Sequence, residues 1–338
     1  METEHRYRLQ LNKFMAQTTP SERWINESSL TKRRDTYPFI DPFRFKNTLR
    51  GKVVVVTYAH RGIGRASALA FAAAGASVVC IARPTDSLDS AIKEIGEFHK
   101  APTFPITADL LDASVPQRLV SLIEQEMGPI DILINITPPS YMRPFDREPD
   151  ITSDWWTSLE HNLKAPIAMT HAVLPSMIAR KLGIIISAIS VTAVVNVPFV
   201  SSLGVAKAGL LKFHHQLDLE NRPKGILNFA VHPGLISSHL HDPSSPVLVN
   251  PQDFVAEPRM RTEFTERAAN LEWAAAGLAS GTFVALCVDQ RCAVLSGMYI
   301  NAERDLGEVV AIVEREKESG AAGRVEKERL YVLKVDEL

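Results

Sequence analysis

The residues of this sequence best able to do chemistry stand at the ends of its apolar runs. Thr57-Tyr58-Ala59-His60-Arg61-Gly62-Ile63-Gly64 follows four consecutive valines, Val53 to Val56. A glycine-rich turn between a buried strand and a helix presents unpaired backbone N–H groups and the positive end of a helix dipole, so Thr57, Arg61, Gly62, Ile63 and Gly64 read as an anion site. Arg83 follows the next apolar run. A guanidinium there suits a phosphate, where an acidic residue would suit a ribose diol. Asp109 follows the third run and is also a good helix N-cap. Ser190 closes the fifth, and Lys207 comes seventeen residues later. A hydroxyl, an ammonium and the amide of Asn162 can polarise a carbonyl electrostatically.

These residues need a scaffold, and the pattern supplies one. Buried strands are predicted at Val53–Val56, Val78–Ala82, Phe104–Ala108, Ile130–Asn135, Gly183–Ser190, Ile226–Val231 and Val294–Asn301, with helical stretches between them. Such alternation predicts an α/β fold, a doubly wound, Rossmann-like parallel sheet of about seven strands with right-handed crossovers. Ligands of that architecture sit beyond the C-terminal strand ends, where the residues above stand. Helices are expected over Ala66–Ala74, from Ser153 to about Arg180 with kinks at Pro166 and Pro175, from Ser201, and near Leu271–Val288. Residues 1–50 read as a polar, extended, proline-punctuated arm, 51–305 as the sheet domain, and 306–338 as a surface helix and tail. Residues 239–270, rich in Pro and Ser and then charged, fit a segment that covers a substrate.

Composition narrows the function. The chain has 338 residues, 46% hydrophobic and 22% charged, enough for a large core. A net charge of −2 gives no electrostatic case for nucleic acid or a membrane surface. No run approaches the roughly 20 apolar residues that span a bilayer, and the N-terminus carries no apolar leader. The closing Val-Asp-Glu-Leu misses a retention signal at its first position. Three cysteines at no metal spacing read as reduced core residues of a cytoplasmic protein, with no metal site.

The turn T-Y-x-H-R-G-I-G resembles the T-G-x-x-x-G-I-G turn of the short-chain dehydrogenase/reductase family, with Tyr58 at the first glycine. The resemblance covers about residues 35–305, including a Tyr-Pro-x-Ile-Asp-Pro arm similar to that of reductases of fungal specialised metabolism. It implies NADP(H) through Arg83, an adenine contact at Asp109, and a cofactor wall at Asn135. It also implies a relay amide at Asn162, a nicotinamide boundary at Pro233 and Gly234, and homodimers or homotetramers. In the family a Ser ends the fifth strand and a Tyr-x-x-x-Lys follows, the Tyr thirteen residues on. Ser190 and Lys207 hold that register, Lys207 serving catalysis and cofactor alike, and the tyrosine position is Leu203. Ile136-Thr137-Pro138 replaces the family's Asn-Ala-Gly after Asn135.

Two departures change what the site is expected to do. General acid–base help is worth roughly 10²–10⁴-fold and needs a titratable proton, which Leu203 lacks. A Cβ in a turn built for glycine costs about 1–2 kcal/mol where φ is positive, and the Tyr58 phenol would project toward the adenosine path. The cofactor is therefore NADP(H) or none. Three readings follow. The first is an enzyme performing a non-redox step, a cyclisation, isomerisation or pericyclic reaction, on a small lipophilic polyketide- or terpenoid-like intermediate held in the former substrate pocket. The second is an NADP(H)-dependent reductase with a substitute acid, Tyr141 or His232 being nearest by topology. The third is a catalytically silent binding protein.

Overall fold

The computed structural model describes residues 30–236, 251–262 and 272–318. Its centre is a seven-stranded parallel sheet in the order β3-β2-β1-β4-β5-β6-β7. The strands are β1 (Val53–Thr57), β2 (Ser77–Ala82), β3 (Thr103–Thr107), β4 (Ile130–Asn135), β5 (Gly183–Ala188), β6 (Ile226–His232) and β7 (Tyr299–Asn301). The run of valines in β1 is buried on both faces, as a central parallel strand requires. Side chains alternate across it. Val53 and Val55, with Val79, Ile81, Leu133 and Ile185, pack against Leu119, Ile123, Met169 and Val173 of α3 (Val115–Met127) and α4 (Ala165–Arg180). Val54, Val56, Val78 and Cys80 point to the opposite face and are fully buried there. The helices α1 (Gly62–Ala73) and α7 (Ala276–Val288) pack on each other. The remaining helices are α2 (Asp89–Phe98), α5 (Ser201–Asn221), α6 (Pro251–Ala256) and α8 (Leu306–Glu318).

The order reverses between β1 and β4, which places the switch point of the sheet, and its crevice, beside Thr57 and Asn135. Thr57 clasps the two strands: its Oγ1 donates to the Ile136 carbonyl at 2.7 Å and accepts from the Ile136 N–H at 2.9 Å.

Several boundaries differ from the sequence reading. The helix after β1 starts at Gly62 rather than Ala66, because the glycines themselves form its first turn. Residues 290–295 form a 3-10 helix, so β7 is only three residues long instead of reaching back to Val294. The stretch 151–180 holds its prolines without breaking: π-turns at Ile151–Trp155 and Glu160–Lys164 flank a short α-turn, and Pro166 falls in the first turn of α4, where its missing N–H costs nothing. Pro175 lies within α4. The arm also departs from expectation. Tyr37, Ile40, Phe45 and Leu49 are buried, Asp41 caps a 3-10 turn at Pro42–Phe45, and Tyr37 Oη accepts from the Leu306 N–H at 2.7 Å. Apolar residues at irregular spacing dock the arm, and such spacing gives no periodic signal. Expectations for residues 1–29, most of 237–271 and 319–338 lie outside the described residues. Among those described, no helix is long and apolar enough to cross a membrane.

Gly281 of α7 faces the arm so closely that a Cβ would lie 2.4 Å from the Ile40 carbonyl oxygen. Gly281→Ala should therefore lift the arm and cost about 1–3 kcal/mol, read as a lower midpoint in thermal or urea unfolding. An unchanged midpoint would mean that the arm adds nothing to stability.

Candidate functional site

The turn after β1 keeps its glycine geometry. Gly62 has φ of 53°, and a Cβ on Gly64 would lie 2.0 Å from the Tyr58 carbonyl oxygen. Arg61 caps α1 from an extended conformation, and Ile63 opens its first turn. The backbone built to approach an anion is thus intact. Its side chains are arranged otherwise. Tyr58 adopts φ of 54°, the left-handed region, and is only 7% exposed. Its ring meets His60 edge-on at 4.4 Å between centroids, and the guanidiniums of Arg61 and Arg83 lie 5.6 and 5.7 Å from the ring centre. Arg61 also donates to Tyr58 Oη at 3.0 Å. Arg83 grips Asp86 bidentately, at 2.8 and 3.2 Å, and that pairing holds the Asp86 carboxyl below its ordinary range against the burial that raises it.

Behind Tyr58 a cleft runs along the strand ends, lined by Thr57, Arg83, Asp109, Asn135, Thr137 and His161 among others. It is partly open to solvent and has a volume of about 40 Å³, room for a few waters. Small-molecule sites run to roughly 300–1,000 Å³, so the cleft as it stands takes the end of a ligand and not the whole of one. As the residues stand they do not fit a dinucleotide: a phenol fills the turn, both arginines are engaged, and Pro138 offers no N–H. Asp109 accepts from the Leu111 N–H in an Asx turn and does not cap the helix that follows, whose N-cap is Ser114. Asn135 is buried with Nδ2 between Thr170 Oγ1 and Ser187 Oγ, both at 3.3 Å.

The second group of predicted residues comes together around Lys207. Its Nζ donates to Thr137 Oγ1 at 2.8 Å and to the Ala188 carbonyl at 2.9 Å. Thr137 Oγ1 in turn donates to Asn162 Oδ1 at 2.7 Å, and Asn162 Nδ2 donates to the Ser158 carbonyl. Burial pulls the Lys207 ammonium down to about 7. Ser190 stands apart from this chain; its Oγ accepts from the Thr192 N–H at 3.2 Å, capping the turn that leads toward α5. Ser190, Leu203 and Lys207 are not among the residues lining the cleft.

The two substitute acids are differently placed. Tyr141 Oη donates to Glu148 Oε1 at 2.9 Å, and burial together with that carboxylate raises the phenol pKa, making it a poorer proton donor. Glu148, Asp154 and Asp253 of α6 all surround Arg143, which ties α6 to the loop after β4. His232 lies at the end of β6 with Nε2 3.9 Å from Glu303. Burial and Arg34 pull its pKa down to about 3, so it is neutral near pH 7 and carries no ionised proton to give. Pro233 and Gly234 follow it, buried, with Gly234 at φ of 93°. Sequence reasoning missed Thr137 and His161 as cleft residues. A hydroxyl two residues after a strand-ending Asn was the available signal.

Residues 52–246 match the family model for short chain dehydrogenases. A short chain dehydrogenase of Pseudocercospora fijiensis is 38% identical over 91% of this chain and 97% of its own length. The short chain dehydrogenase pigC of Monascus ruber is 30% identical over 83% of this chain and 88% of its own. Among solved structures, L-sorbose reductase of Gluconobacter frateurii, complexed with NADPH and L-sorbose, is 25% identical with a TM-score of 0.63, covering 75% of this chain and 95% of that one.

Proposed function

From the premise that this chain belongs to the short-chain dehydrogenase family, we propose that it has left the family's redox chemistry and catalyses a non-redox step on a small lipophilic intermediate of polyketide or terpenoid type. The step is a cyclisation, isomerisation or pericyclic reaction. One observation carries this reading: Tyr58, held between Arg61 and Arg83, fills the turn in which a dinucleotide would lie. Leu203 at the position of the family's phenol agrees with it, since it has no proton to give.

The chemistry left to the site is electrostatic. An apolar pocket that holds a reactive conformer lowers the entropic part of a barrier, and a fixed donor polarises a carbonyl without a redox partner. The Lys207–Thr137–Asn162 chain reaches the cleft through Thr137. The second reading, an NADP(H)-dependent reductase, is favoured by the preserved Gly62 and Gly64 turn and by relatives named dehydrogenases.

Mass spectrometry of reaction mixtures separates the two. Purified protein, incubated with lipophilic ketone intermediates and no nicotinamide, should give a product of unchanged mass, or one changed only by water. Conversion that requires NADPH and yields a product heavier by two hydrogens sinks the non-redox reading.

A further inference from the structure

Lys207 is 4% exposed and does not line the cleft, so it cannot itself touch a ligand there. Of its two hydrogen-bond partners, the Ala188 carbonyl only accepts. The other, Thr137 Oγ1, can both accept and donate, and Thr137 does line the cleft. We propose that Thr137 is the catalytic residue through which the proton of Lys207 reaches a carbonyl group that alone enters the cleft, the rest of the substrate lying outside its roughly 40 Å³. This assignment deepens the non-redox reading and rests on it for the identity of the substrate, a ketone or aldehyde.

The geometry gives each member one task. Lys207 donates to Thr137 Oγ1 at 2.8 Å, and the threonine hydroxyl donates onward to Asn162 Oδ1 at 2.7 Å. Asn162 is itself fixed, 1% exposed and bonded to the Ser158 carbonyl at 3.1 Å. When a carbonyl oxygen arrives, the Thr137 hydroxyl turns from Asn162 to it. The Thr137 O–H bond breaks as a substrate O–H bond forms, and a Lys207 N–H bond breaks as the Thr137 O–H re-forms. Lys207 is left as a neutral amine and the substrate as an oxygen-protonated cation. Return of the proton along the same path, once the carbon skeleton has rearranged, closes the cycle with no net change in either residue. Burial is the cause that brings the lysine pKa down to about 7, so both of its protonation states are accessible near neutral pH. His161, the titratable neighbour on the same cleft wall, is also held low by burial.

The test needs no substrate. Hydrogen exchange of the Lys207 ammonium with water, measured by NMR on protein labelled with ¹⁵N-lysine and assigned with Lys207→Met, reports the path directly. Thr137→Val should slow that exchange about tenfold or more below neutral pH, the cost of one charge-assisted hydrogen bond along the path. Thr137→Ser should leave it near wild type. A hydroxyl that only holds the lysine in place predicts the opposite sign, because an ammonium that loses its acceptor becomes a stronger acid and exchanges faster. Equal or faster exchange in Thr137→Val therefore overturns the relay. Thr137→Cys, close in volume and a far weaker hydrogen-bonding group, serves the same comparison if valine unfolds the chain. Since exchange is read without cofactor or turnover, a failed relay is distinguishable from a failed non-redox reading, which NADPH-dependent turnover would expose.

Discussion

Tyr58→Gly should bind NADPH on the order of tenfold or more tighter than wild type, since in wild type the buried phenol and its hydrogen bond to Arg61 must be displaced before a dinucleotide can enter the turn, and each 1.4 kcal/mol is tenfold. The substitution also empties the space the phenol takes and releases the Arg61 donor now spent on Tyr58 Oη. Affinity should rise without turnover, because Leu203 still supplies no proton. Leu203→Tyr alone should likewise give no reductase. Only the pair, with Ser190 and Lys207 already in register, is placed to recover slow ketone reduction. The measurement is NADPH fluorescence titration of both proteins side by side. Micromolar binding by wild type would remove Tyr58 as an obstacle and the cofactor-free reading with it. Equally weak binding by both would move the obstruction to Ile136-Thr137-Pro138, where proline offers no N–H.

Lys207 should make the protein more stable as pH rises from about 7 toward 10. Its ammonium titrates near 7 in the fold and at the ordinary 10.5 when unfolded. Between those values the unfolded chain binds a proton that the folded chain refuses, so stability climbs by up to about 1.4 kcal/mol per pH unit. Below pH 7 both states are protonated and the slope vanishes, with the full burial cost present. Urea unfolding of wild type and Lys207→Met across pH 6 to 10 isolates this contribution, because the other lysines, tyrosines and thiols cancel in the difference. The gap should move in wild type's favour across the window. Parallel profiles would place the Lys207 pKa at its ordinary value and remove the neutral amine from the mechanism.

Much of this was legible in the sequence, and particular residues show where legibility stopped. The valines of β1 and the alternation that follows are one-dimensional signals, and a doubly wound parallel sheet follows from them with the handedness of the crossovers. The register of Ser190 and Lys207 is likewise a matter of counting. Partners are not. That Lys207 bonds Thr137 depends on two strand ends, β4 and β5, lying side by side in the sheet. The fate of Tyr58 depends on Arg83, which follows a different strand. His232 looked like a candidate acid from its place at the end of β6, but burial keeps it neutral, with Arg34 of the arm adding to the effect. The π-turns escaped notice because a widened turn leaves the composition of a helix unchanged.

Those turns bear on how the site tolerates changes of chain length. A π-turn closes its hydrogen bond one residue later than an α-turn, so each amounts to a single residue inserted into a helix without breaking it. Asn162 sits inside the second one, Glu160–Lys164. Deleting any residue of that segment other than Asn162 would let the turn tighten to α geometry, leaving the flanking segments in phase while shifting the residues within the turn. Asn162 would lose Thr137 although every side chain of the site remained. The position of the amide is thus encoded as an insertion, and a related chain one residue shorter here could carry identical site residues and still lack the arrangement.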